Sequence, residues 1–222
     1  MTELSIKVKE YYCSLSSSKK SVIWFTIATI IQNGIQFLVT PIFTRLLTDA
    51  EYGIYSIFQS WQQIFAIISV VALDRCITVG FMKFSNSKKQ FLSSIQTLMT
   101  ILVFFCSIIV LIFSNFFENL IQLPLYMIMT MLIVSLMNNT LSNWSWYQRY
   151  NFNYRTLTAV TISSTLIMQT ISIICIILLP FENKGIILVM SNSGSRLLIY
   201  GIIYILVFIK GKTTYEFKFW NF

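Results

Sequence analysis

Six stretches of apolar sequence, each long enough to cross a bilayer, constrain this chain more than anything else in it. A spanning helix needs about 20 mostly apolar residues, because ~30 Å of hydrocarbon is crossed at ~1.5 Å per residue. Such stretches run over 21–44, 52–73, 91–113, 120–137, 157–179 and 185–209. In lipid every backbone N–H and C=O must be satisfied within the structure. The sequence therefore predicts an all-α fold: a polytopic integral membrane protein built as a six-transmembrane-helix bundle over residues 21–210. Residues 1–20 then form a cytoplasmic N-terminal segment and 211–222 a cytoplasmic tail. The polar start of the chain and the length of the first apolar run do not fit a cleavable signal peptide.

Composition supports this. Hydrophobic residues make up 56% of the 222 residues and charged residues only 11%, against ~25% charged in soluble domains. A soluble enzyme, a disordered tail and a disulfide scaffold are excluded, since none could be both this apolar and this poor in charge.

The basic residues test the span count. Cytoplasmic segments of membrane proteins carry an excess of Lys and Arg. Lys7, Lys9, Lys19 and Lys20 precede the first span; Arg75, Lys83, Lys88 and Lys89 follow the second; Arg149 and Arg155 follow the fourth; Lys210, Lys212 and Lys218 follow the sixth. The alternate connections hold only Arg45 and Lys184, and Arg196 falls inside the sixth span. This alternation predicts six spans with both termini in the cytoplasm. The net charge of +8 is thereby a topology signal, and no nucleic-acid partner is expected.

Chemistry-bearing motifs are scarce. Histidine is absent, which removes imidazole acid–base chemistry and imidazole metal ligands. Cys13, Cys76, Cys106 and Cys175 form no CxxC pair, so no metal or redox site is expected. No GxxxxGK[ST] phosphate loop occurs. No cofactor and no catalytic residue is assigned. The connection over 138–156, with Trp144, Trp146, Tyr147, Tyr150, Phe152 and Tyr154, reads as a segment at headgroup level.

The corner between the first two spans carries clear local signals. Thr48-Asp49-Ala50-Glu51 has the form of a capping box, Thr at the N-cap and Glu three residues on. Pro41 is expected to kink the first helix or end it early.

The same corner carries a family likeness. Its Arg45, Leu47, Thr48, Glu51, Tyr52, Gly53 and Tyr55 match a pattern that resembles the first outer corner of the Wzx-type polysaccharide flippases. These belong to the multidrug/oligosaccharidyl-lipid/polysaccharide exporter superfamily. The resemblance implies one six-helix lobe of a 12–14-helix transporter in the bacterial inner membrane. It also implies alternating access and an undecaprenyl-pyrophosphate-linked oligosaccharide as cargo, an O-antigen, capsule or exopolysaccharide repeat unit. Against that pattern the chain is expected to be a truncated or partial form, its missing wall supplied by a second lobe or by a homodimer. Two other readings stay open: an inert or regulatory membrane fragment, and an integral-membrane glycan-assembly enzyme.

Polar side chains inside lipid are costly, so their positions mark candidates. Asn33, Gln36, Gln59 and Gln63 on the first two spans suit a cavity wall that reads sugar hydroxyls. Arg196 and Asn192 lie in the sixth. Placing an Arg mid-bilayer costs ~2.5–3.5 kcal/mol on insertion scales, so it should face water or a partner; its fork matches a lipid pyrophosphate. Helix–helix packing is the competing account of the amides, and the preferred one for the Ser and Thr positions. For Arg196 the competing account is an intramembrane pair with an acid, Asp74 at the inner end of the second span being the nearest by depth. Arg45, Asp74 and Arg75, at span ends, are candidates for gating or for binding lipid headgroups.

Overall fold

The computed structural model describes residues 16–68, 73, 76–179, 183–211 and 219–220. Apart from short turns, the described residues form eight α-helices: α1 (Ser17–Leu46), α2 (Asp49–Ile68), α3 (Cys76–Lys83), α4 (Lys88–Ile112), α5 (Ser114–Ile121), α6 (Leu125–Tyr150), α7 (Tyr154–Leu178) and α8 (Lys184–Gly211).

Five of these, α1, α4, α6, α7 and α8, are long and apolar enough to cross a membrane. Their outward faces are apolar: Phe37, Leu38, Phe104, Ile112, Leu178 and Leu198 are all more than 60% exposed. Such a surface is untenable in water at this extent and fits contact with lipid tails. The chain is thus a multi-pass all-α membrane protein. Helix α2, at 20 residues, has the length to span. Asp49, Glu51, Gln59, Gln62 and Gln63 interrupt its apolar sequence, so it does not join those five.

Helix α8 is the central element, packing against α7, α6, α2 and α4. Helix α1 leans on α7 and touches α2 only lightly, while α2 leans on α6 and α8. The core follows from this arrangement. Phe58 of α2, Ile95 and Met99 of α4, Met127, Ile128, Met131 and Leu132 of α6, and Val189 of α8 are almost wholly buried together. A smaller cluster, Val39, Phe43, Leu47, Ile176, Ile187 and Leu188, closes the corner where α1 meets the ends of α7 and α8.

Three expectations change. The fourth helix does not occupy 120–137: α5 takes residues up to Ile121, and α6 runs on to Tyr150. The segment 138–150, expected as a loop, is helix because it contains neither Gly nor Pro. Its polar side chains also find partners: Thr140 accepts from Gln96 Nε2 at 2.7 Å, and Asn143 Nδ2 contacts Met99 Sδ at 2.9 Å. The aromatics at its end pack inward, with Phe81 edge-on to both Tyr147 and Tyr150. Pro41 does not end α1, which continues to Leu46. The 1–2 corner forms the expected reciprocal box: Glu51 Oε2 accepts from Thr48 N at 2.8 Å, and Thr48 Oγ1 accepts from Glu51 N at 3.4 Å.

Candidate functional site

Two helices joined by a tight corner yet packed on different neighbours must diverge, and α1 and α2 do so around a polar cleft of about 230 Å³. Helix α1 contributes Gln36, Val39, Thr40 and Phe43, whose i, i+3, i+4, i+7 spacing puts them on one face. Helix α2 contributes Tyr52, Tyr55 and Gln59, also one face. Gln169 of α7 and Arg196 of α8 complete the lining.

The chemistry is that of a cationic, amide-rich cleft. Among the described residues no acid lines it. Among the described residues Arg196, half-buried, makes neither an ion pair nor a side-chain hydrogen bond. It lies within electrostatic reach of Tyr55 and Tyr200. Among the described residues Gln169 Oε1 is buried without a hydrogen-bond partner, and so is Asn192 Nδ2, one helical turn from Arg196 on α8. Buried polar atoms are normally satisfied, so these two are available to water or a ligand. Phe43 meets Tyr55 edge-on at 6.2 Å, and Tyr52 lies 6.1 Å from Tyr55. The cleft can therefore hold an anion at the guanidinium, hydroxyls at the amides and apolar C–H surface on the aromatic wall.

The candidates sort as follows. Gln36, Gln59 and Arg196, read from three separate spans, converge on the cleft. Asn192 is buried beside it. Asn33 and Gln63 are exposed and do not line it. Arg45 is exposed at the end of α1 and also lies outside it. Asp74 and Arg75 lie outside the described residues. Tyr52, Tyr55 and Gln169 were missed as site residues. The first two stand at i, i+3 with Gln59 at i+7, a stripe the sequence displays, but aromatic residues near span ends read equally well as interfacial anchors.

Many Ser and Thr hydroxyls are satisfied within their own helix. Thr29, Thr40, Ser56, Thr161 and Ser195 each donate to the carbonyl four residues earlier. Gln32 Nε2 bonds Thr165 Oγ1 at 3.2 Å, tying α1 to α7.

Together the outward apolar surface, the central helix and the polar cleft define a multi-pass helical membrane protein with a cationic cleft between its helices. The chain belongs to the family described as polysaccharide biosynthesis protein, whose model matches residues 18–222; this is the family its corner motif resembles. No curated protein and no solved structure matches it.

Proposed function

We propose that the protein carries a lipid-linked oligosaccharide across the bacterial inner membrane by alternating access, without chemical conversion of its cargo. The observation that carries this reading is Arg196: a cation inside a spanning helix, unpaired among the described residues, facing an amide-lined cleft. Holding an unpaired charge there is costly, and a pyrophosphate group entering the cleft would offset that cost with charge-assisted hydrogen bonds. Gln36, Gln59, Gln169 and Asn192 would read the sugar hydroxyls next to it. The polyprenyl chain would stay in the bilayer. On this reading α2 crosses as a sixth span, its polar face turned to the cleft, and both termini are cytoplasmic. The cargo is an undecaprenyl-pyrophosphate-linked repeat unit.

The test is a flipping assay with the full chain in liposomes. The probe is a polyprenyl-pyrophosphate sugar bearing a fluorophore that external dithionite bleaches. Protein-containing vesicles should lose the inner-leaflet pool; Arg196→Ala should slow that loss at least tenfold, and Arg196→Lys should retain part of it. Equal rates in protein-free vesicles would reject the reading. A polyprenyl monophosphate sugar moving as fast as the pyrophosphate would reject the role given to Arg196.

A further inference from the structure

A second cavity, with no residue in common with the cleft, lies at the end of the bundle where α4 starts and α8 finishes. It is a groove of about 450 Å³ between α6, α7 and α8. Its walls are apolar along most of its length: Ile167, Ile199, Ile202, Ile203 and Leu206. Ile167, Ile202 and Leu206 are between 42 and 61% exposed, so the groove is open sideways to the surrounding lipid. From Ile199 to Lys210 it follows α8 for about 16 Å at 1.5 Å per residue, the depth of roughly one leaflet of a ~30 Å hydrocarbon core.

At its end the groove becomes polar. Lys89, Tyr147 and Lys210 line both the groove and an adjoining recess, also about 450 Å³, that adds Lys88 and Gln90. Among the described residues no acid lines either cavity. Lys89 and Lys210 are exposed, and among the described residues neither has an ion pair. Lys88 Nζ sits 4.2 Å over the Tyr150 ring, which holds it at the recess. Three cations around a polar mouth, continuous with an apolar trough of leaflet depth, match one chemistry: a phosphate headgroup joined to a hydrocarbon chain.

We propose that this groove binds an anionic phospholipid of the protein's own bilayer, its phosphate at Lys88, Lys89 and Lys210 and one acyl chain along α8. Basic pockets between membrane helices recognise anionic headgroups in this way, each cation adding to the attraction. The site is separate from the Arg196 cleft, so the lipid is a resident ligand and not the cargo.

Trp144 lines the groove and reports on it. The full chain is placed in vesicles doped with brominated phosphatidylglycerol or brominated phosphatidylcholine, and Trp144 quenching is read as the difference between wild type and Trp144→Phe. Half-quenching is expected at an about tenfold lower mole fraction of the phosphatidylglycerol. The Lys89→Gln/Lys210→Gln double variant should shrink that ratio below about twofold. Both side chains are exposed, so the variant should fold; the control Lys184→Gln should keep the ratio. Equal quenching by the two lipids, or a ratio unchanged in the double variant, would overturn the proposal. Protection of the lysines by inorganic phosphate without bromine quenching of Trp144 would overturn it too, assigning the mouth to a soluble anion.

Discussion

Glu51 Oε1 accepts a hydrogen bond from the backbone N–H of Lys184 at 2.7 Å, across 133 residues of sequence. Its other carboxylate oxygen accepts from Thr48 N and Thr48 Oγ1 at 2.8 and 2.9 Å. One carboxylate thus serves the first turns of two helices, α2 and α8. Unpaired N–H groups at helix starts attract negative charge. The corner that begins the cleft is therefore fastened to the helix that carries Arg196.

Removing that carboxylate should loosen the fastening. Glu51→Ala is expected to destabilise the protein by about 1–2 kcal/mol, the range for losing a helix cap, and Glu51→Asp should not restore it because the shorter side chain cannot reach both N-termini. Thermal unfolding of the purified protein in a fixed detergent measures this. Unchanged melting in Glu51→Ala would show that the bond contributes nothing.

The same carboxylate gives a pH dependence. The backbone hydrogen bond from Thr48 is the largest influence on it; burial opposes that bond, and the further bonds from Lys184 and Thr48 reinforce it, so its pKa lies below the ordinary 4.5. A depressed carboxylate contributes stability that is fully present above its unfolded pKa and lost as pH falls through the folded value. Melting temperature should therefore drop as pH falls below 4.5, and Glu51→Gln should flatten part of that drop. The group lies near the surface and is only partly buried, so screening keeps the effect small. An acid limb identical in wild type and Glu51→Gln would contradict this.

Close approach at the same corner sets the tolerance of two glycines. A Cβ on Gly185 would collide with the Glu51 backbone carbonyl, whereas a Cβ on Gly34, in α1, meets nothing within 4 Å. Gly→Ala in a free helical position stabilises by roughly 0.5–1 kcal/mol. Gly34→Ala should raise the melting temperature slightly, and Gly185→Ala should lower it. The pair is diagnostic: if both substitutions stabilise, α2 and α8 do not meet as described.

What the sequence made legible was local or periodic. The Thr48–Glu51 box could be read because its partners stand three residues apart. Gln36, Gln59 and Arg196 stood out because amides and cations are rare in spans. The Glu51–Lys184 bond was illegible, since nothing local links positions 133 residues apart. Gln62 and Gln63 show the limit of periodicity: adjacent residues on a helix face about 100° apart, and only packing decides that Gln62 is buried and Gln63 exposed. Asn33 stands on the same face of α1 as Gln36 and Thr40 but one turn before the cleft begins. Residues 138–150 were misread because hydropathy falls there, while helix formation depends on satisfied backbone and the absence of breakers.

The two accounts of Arg196 part most clearly on stability. If it were a packing residue held by a partner, replacing it with Met would leave that partner unsatisfied and destabilise the protein by about 3–5 kcal/mol, as for other broken buried pairs. The structure gives it no such partner among the described residues, so the opposite is expected. Arg196→Met removes an unpaired charge from a spanning helix, a burden of ~2.5–3.5 kcal/mol on insertion scales, and keeps an unbranched side chain of helix-compatible shape. Because the cleft hydrates the guanidinium in part, the gain should be only about 1–2 kcal/mol, well short of the insertion-scale figure. The melting temperature should rise while transport of a pyrophosphate-linked sugar falls at least tenfold. Gln169→Leu should behave likewise to a smaller degree, because its Oε1 is buried without a partner and leaving such an atom unsatisfied costs about 1–3 kcal/mol. A lower melting temperature in Arg196→Met would assign the residue to structure and leave the cleft without its anion site.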